Sequence, residues 1–151
     1  MIKPWIVGLM AALLVALALA VTAIVLLKPD QDAVVLDLDA GDCFAVPADI
    51  AEATISKVDT IDCAKPHEAE VFAIGELDPD RQQPYPADQQ QLFGRVDRQC
   101  ATVLADRPDL VERFGVLPVV ADERSWNSYR GRYVCVAIPY GGGTTQGSLG
   151  L

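Results

Sequence analysis

The chain has 151 residues, and its 21 acidic residues outnumber the 12 basic ones to leave a formal charge of −9. Lys3, Lys28, Asp30 and Asp32 cancel one another, so the whole excess falls on the residues from Ala33 onward. Such a surface repels phosphate backbones and anionic headgroups, which excludes nucleic-acid binding and disfavours flat docking on lipid; its plain reading is solubility.

After a short head, Met1 to Pro4, the stretch from Trp5 to Leu27 carries no charge. Roughly 23 apolar residues suffice to cross a hydrocarbon core of about 30 Å as a helix, which predicts a single transmembrane anchor. Lys3 and the terminal amine precede the run, while Lys28, Asp30 and Asp32 follow it, so the basic bias places the N-terminus in the cytoplasm and the C-terminal domain outside the cell membrane. Small-residue cleavage sites at Ala18-Leu19-Ala20 and Val21-Thr22-Ala23 offer a secretory signal as the competing reading. The run continues through Ile24 to Leu27, past the about 7–15 residues of a signal core, and an uncleaved anchor is favoured. Residues 28–32 form a short stem that keeps the domain, residues 33–140, close to the membrane.

Within the domain Val34 to Leu38 is β-branched and apolar and predicts a first strand, ended by Asp39-Ala40-Gly41-Asp42. Asp37-x-Asp39-x-Gly41-Asp42 echoes the opening of a calcium loop, but its fifth and sixth positions are swapped and the twelfth is Ala48, so an acidic turn is the better reading. Ile55 to Cys63 reads as a half-exposed strand, and Ala69 to Ile74 as one apolar on both sides and therefore central. Gly75 to Pro86 is a polar loop. Asp88 then caps a helix that stops before Pro108, with Leu92, Phe93, Val96, Cys100, Val103 and Leu104 on one arc.

A short helix from Leu110 to Phe114 is predicted next, capped by Asp109 with Glu112 reciprocating. Val116 to Val120 reads as an edge strand because Pro118 lacks a donor, and Tyr133 to Ile138 as the strongest strand. Gly141-Gly142-Gly143 breaks it, leaving residues 141–151 as a tail that is either disordered or a returning strand. The sum is an α+β fold: a small antiparallel or mixed sheet of about five strands with one main amphipathic helix.

Four cysteines, Cys43, Cys63, Cys100 and Cys135, all lie in the domain, an even count suited to an oxidising compartment. Of three connectivities, Cys43–Cys63 and Cys100–Cys135 are favoured. The first joins the segment after the first strand to the end of the next, and the second joins the inner face of the helix to a central strand. Cys63-x-x-x-His67 is a conceivable zinc half-site, but the other cysteines lack paired spacing; no metal and no cofactor is expected. His67 is the only histidine and lies near Glu70, yet no nucleophile motif accompanies them, so a ring hydrogen-bonded to hold the bend is favoured over catalysis. Trp126, with Tyr129 and Tyr133, suits either a binding surface or core packing.

Gly41-Asp42-Cys43-Phe44, then Cys63-Ala64-Lys65-Pro66-His67-Glu68-Ala69-Glu70-Val71-Phe72, then Cys100, Trp126, Gly131-Arg132 and Cys135, and finally Gly147-Ser148-Leu149, resemble the septum-formation domain of actinobacterial membrane proteins. The resemblance implies a single-pass membrane protein whose domain lies outside the cell and acts in cell division or the envelope. It carries no catalytic activity, and so implies a non-enzymatic module with a protein or cell-wall partner, in which His67, Glu70, Trp126 and Arg132 have binding or structural roles. An envelope hydrolase, thiol/redox or metal-binding protein using His67, Glu70 or the cysteines is the alternative. The step from Trp126 to Gly131-Arg132 is longer than the family's usual Trp-x-x-Gly-x-Arg.

Overall fold

The computed structural model describes residues 32–46 and 57–150. The span predicted from Trp5 to Leu27 lies outside them; among the described residues no helix is long and apolar enough to cross a membrane. The compact unit begins at Asp32.

Six strands make one sheet: β1 (Asp32–Val34), β2 (Cys43–Phe44), β3 (Lys57–Ile61), β4 (Ala69–Glu76), β5 (Phe114–Val120) and β6 (Arg132–Pro139). Their order is β1-β3-β2-β4-β6-β5, and every pairing is antiparallel. Three helices follow in chain order: α1 (Gln89–Ala105), α2 (Pro108–Val111) and α3 (Trp126–Tyr129). The α+β reading holds, with the sheet wholly antiparallel and one long helix.

The first predicted strand is corrected. Only Val34 of Val34 to Leu38 is in a strand, and Val35–Asp37 is a 3-10 turn closed by the Leu38 amide on the Val35 carbonyl. The reason is burial: Val35, Leu36 and Leu38 all face the core. A strand would send Val35 and Leu36 to opposite faces, whereas one tight turn buries all three and leaves Asp37 outside. The stretch Asp39 to Asp42 is a turn, with the Asp42 carboxylate accepting the Asp39 amide at 2.8 Å.

β4 and β6 are central, as their apolar runs predict. β5 is an edge strand, which leaves the donorless Pro118 where a missing amide costs least. It begins at Phe114, so the helix predicted over Leu110 to Phe114 is corrected to Pro108–Val111. Pro108 occupies its first turn, where proline is favoured, and Asp109 pairs with Arg107 at 3.3 Å rather than capping.

Asp88 caps α1 as predicted, its carboxylate accepting the Gln91 amide at 2.9 Å. Leu92, Val96, Cys100 and Leu104, each four residues from the last, are buried where the helix lies against β5 and β6. Phe93 and Val103, expected on that arc, are exposed instead, because a helix resting on one sheet face buries a single narrow stripe. Cys100 on this stripe bonds Cys135 of β6, and Cys43 of β2 bonds Cys63, with Cα atoms 5.5 and 5.3 Å apart. Both bridges are the favoured ones.

Candidate functional site

The segment from Cys63 to Glu70 leads into β4, and its chemistry turns on the tail. The residues after Gly143 come back across it: Thr145 and His67 exchange backbone hydrogen bonds at 2.7 and 2.9 Å, and the Gly147 amide donates to the Cys63 carbonyl at 2.7 Å. The Gln146 side chain donates to Ala64. Of the two fates predicted for this segment, it takes a reduced form of the returning strand, a single bridge.

Glu70 fastens the end of that strap. It is 2% exposed, and its carboxylate accepts the Ser148 hydroxyl at 2.8 Å and the Leu149 amide at 2.9 Å. Two donors on a buried carboxylate replace the water it has lost. Arg107 adds a second clasp by donating to the Leu149 and Gly150 carbonyls.

His67 is fully buried, with Nδ1 at 2.9 Å from the Lys65 carbonyl. That contact requires Nδ1 to carry the proton and closes the bend after Pro66. Nε2 is buried with no hydrogen-bond partner among the described residues. Among the described residues no hydrogen bond joins His67 to Glu70; each holds its own part of the strap. Cys43, Cys63 and Glu70 bring ligand-type atoms within 4.8 Å of one another, but the two sulfurs are bonded together and offer no thiolate.

Trp126 and Arg132 belong to a second cluster. Trp126 is buried, its Nε1–H donates to the Gln83 carbonyl at 3.0 Å, and the ring meets Tyr85 edge-on at 5.5 Å. A Cβ on Gly131 would sit 2.7 Å from the Trp126 ring, and Gly131 also holds φ +62, so both space and backbone require glycine there. The long step from Trp126 to Gly131 is the turn of α3 followed by left-handed Arg130. Arg132 then reaches from β6 to the Leu38 carbonyl at 2.9 Å and to Asp39 at 3.5 Å.

Two residues that sequence reasoning passed over organise this cluster. Asp122 launches α3: its carboxylate accepts the Ser125 amide and hydroxyl, and its carbonyl accepts the Trp126 amide. The Ser125 hydroxyl and amide hold the Asp122 carboxyl below the usual range. A lowered native value stabilises the fold above the unfolded-state value, and that contribution fades as pH falls through the native one. Thermal unfolding of Asp122→Asn should therefore lie below wild type at neutral pH and converge with it in acid; a pH-independent gap would refute the linkage. Asp78, 2% exposed, is the other; its position before Pro79 was a turn signal in plain view.

A family model described as septum formation matches residues 26–135. That interval holds the four cysteines, His67, Glu70, Trp126 and Arg132, while Gly147-Ser148-Leu149 of the strap lies beyond it. No curated protein and no solved structure matches the chain. With most of its length inside the match, the chain belongs to the septum-formation family.

Proposed function

We propose that this chain is a membrane-anchored, extracytoplasmic module that acts in cell division by binding a protein or cell-wall partner, without turning over a substrate. Membership of the septum-formation family is the observation that carries it. The charge-free run from Trp5 to Leu27 supports the anchor, and two bridges with no free cysteine among the described residues suit an oxidising compartment. The only histidine and its neighbouring carboxylate are buried and engaged with backbone and tail, which favours binding over catalysis. Tethering raises the local concentration of such a module near a membrane-bound partner.

The test is a fluorescent protein fused to the N-terminus and followed through the cell cycle, beside the same fusion carrying His67→Ala. The expected signal gathers at the septum, and His67→Ala loses function only as far as it loses stability. Uniform membrane fluorescence would overturn the septal role. A stable, correctly placed His67→Ala protein that fails to rescue a deletion strain would revive the hydrolase or redox alternative.

A further inference from the structure

Beside the Val35–Asp37 turn the surface opens into a polar cleft of about 360 Å³, within the size range of small-molecule sites. In a domain with a large acidic excess, three arginines line it: Arg81, Arg130 and Arg132. Ser128 and Tyr129 contribute hydroxyls, and Asp37, Asp39 and Glu76 complete the charged wall. Burial, then a hydrogen bond to the Asp37 carboxylate, pushes the Tyr129 phenol up and engages its hydroxyl with that acid.

The backbone here is built at a cost. Among the described residues other than glycine, only Arg81 and Arg130 hold positive φ, at 56° and 55°, and both line this cleft. Left-handed conformations of this kind persist only where the surroundings enforce them. Buried Asp78 enforces both: its amide donates to the Arg130 carbonyl, its carbonyl accepts the Arg81 amide, and its carboxylate accepts the Gln82 and Gln83 amides. The carboxylate holds the Arg81 turn and the backbone amide of the same residue holds the Arg130 turn, so one residue presents two arginines to one space.

Those cations are poorly neutralised. The Arg132–Asp39 and Arg130–Glu76 contacts are long, 3.5 and 3.9 Å, and the Arg81 side chain has no hydrogen-bond or ion-pair partner among the described residues. Arg132 Nε is buried without a hydrogen-bond partner among the described residues. Guanidinium forks fit planar carboxylates two bonds at a time. A dianionic phosphate would meet repulsion from three acidic side chains on the same wall, whereas a carboxylate brings one charge.

We infer that this cleft binds the free carboxylate at the end of a peptide, with Arg81 and Arg130 as its principal contacts and Asp78 as their positioning residue. The inference rests on the reading of the domain as a binding module and names the chemistry that module recognises. A protein chain ends in an L-residue and a wall peptide in a D-residue, so the source is open to experiment.

The experiment is a nuclear magnetic resonance titration of the full chain, ¹⁵N-labelled and held in detergent micelles. Probes are acetyl-L-Ala-L-Ala, acetyl-D-Ala-D-Ala, the C-terminal amide of each, and inorganic phosphate. Saturable shifts of the Arg81 and Arg130 Nε–H and the Gly131 amide are expected with the free carboxylates, the tighter of the two identifying the source. Arg81→Gly removes the charge and relieves the left-handed backbone. It should weaken binding about tenfold while holding or raising thermal stability, a combination that a purely structural arginine does not produce. No saturable shift, equal shifts from the amides, a stronger response to phosphate, or wild-type affinity in Arg81→Gly would each overturn the site. A flat titration with septal fluorescence intact defeats the carboxylate site alone; uniform membrane fluorescence defeats the septal reading whatever the titration shows.

Discussion

Replacing Cys100 and Cys135 together by serine should lower the unfolding free energy by about 3–4 kcal/mol and leave Cys43 and Cys63 bridged. The two residues are 35 apart in sequence, so their bond removes a long loop's worth of freedom from the unfolded chain. It also ties α1 to β6 at the centre of the core, where both cysteines are fully buried. The serine hydroxyls add a smaller cost of burial without partners, which the alanine pair avoids and so measures. Urea unfolding reads the loss, and peptide mapping without reductant reads the remaining bridge. A change below about 1 kcal/mol would mean that packing of α1 on the sheet suffices without the cross-link.

Glu70→Ala should cost about 2–3 kcal/mol and release the strap. The buried carboxylate receives the Ser148 hydroxyl and the Leu149 amide, charge-assisted bonds that close the strap onto the sheet. Hydrogen exchange locates the effect: the Thr145 and Leu149 amides, bonded to His67 and Glu70, should lose protection while β4 and β6 keep theirs. Glu70→Gln, which retains one acceptor oxygen, should fall between. Wild-type protection of Leu149 in Glu70→Ala would show that Arg107 and the Thr145 bridge hold the strap by themselves.

Regular structure was legible wherever a pattern ran long enough to have a period. Val96, Cys100 and Leu104 repeat every four residues behind an aspartate cap, and α1 follows. Residues 133–138 form an unbroken apolar run, and β6 lies between two strands. Pro118 marked the sheet edge because a missing amide is a local fact with one tolerable position. Val34 to Leu38 misled for the opposite reason: five residues are too few to separate a strand from a tight turn, and only the core decides that Val35 and Leu36 are buried side by side.

The candidate site divides in the same way. Cysteine number, the solitary His67 and the order of Gly-Asp-Cys-Phe before Cys-x-x-Pro-His are properties of the chain itself, and they led to the family and to the bridges. Partners were not so readable. That Glu70 faces Ser148 and Leu149 depends on a return of nearly eighty residues, and that Arg132 reaches Leu38 depends on a contact across 94.

What the sequence alone determined is the class of molecule: a charge-free run sized for an anchor, an acidic domain with paired cysteines, and one helix against a sheet. Only the tertiary structure decided that His67 and Glu70 hold a strap and that Asp78 sets Arg81 and Arg130 on one cleft. The division has a physical cause. Periodicity, capping and charge act over a few residues and are written in order along the chain. A hydrogen bond between distant segments exists only after burial has chosen which groups lose water and must find one another.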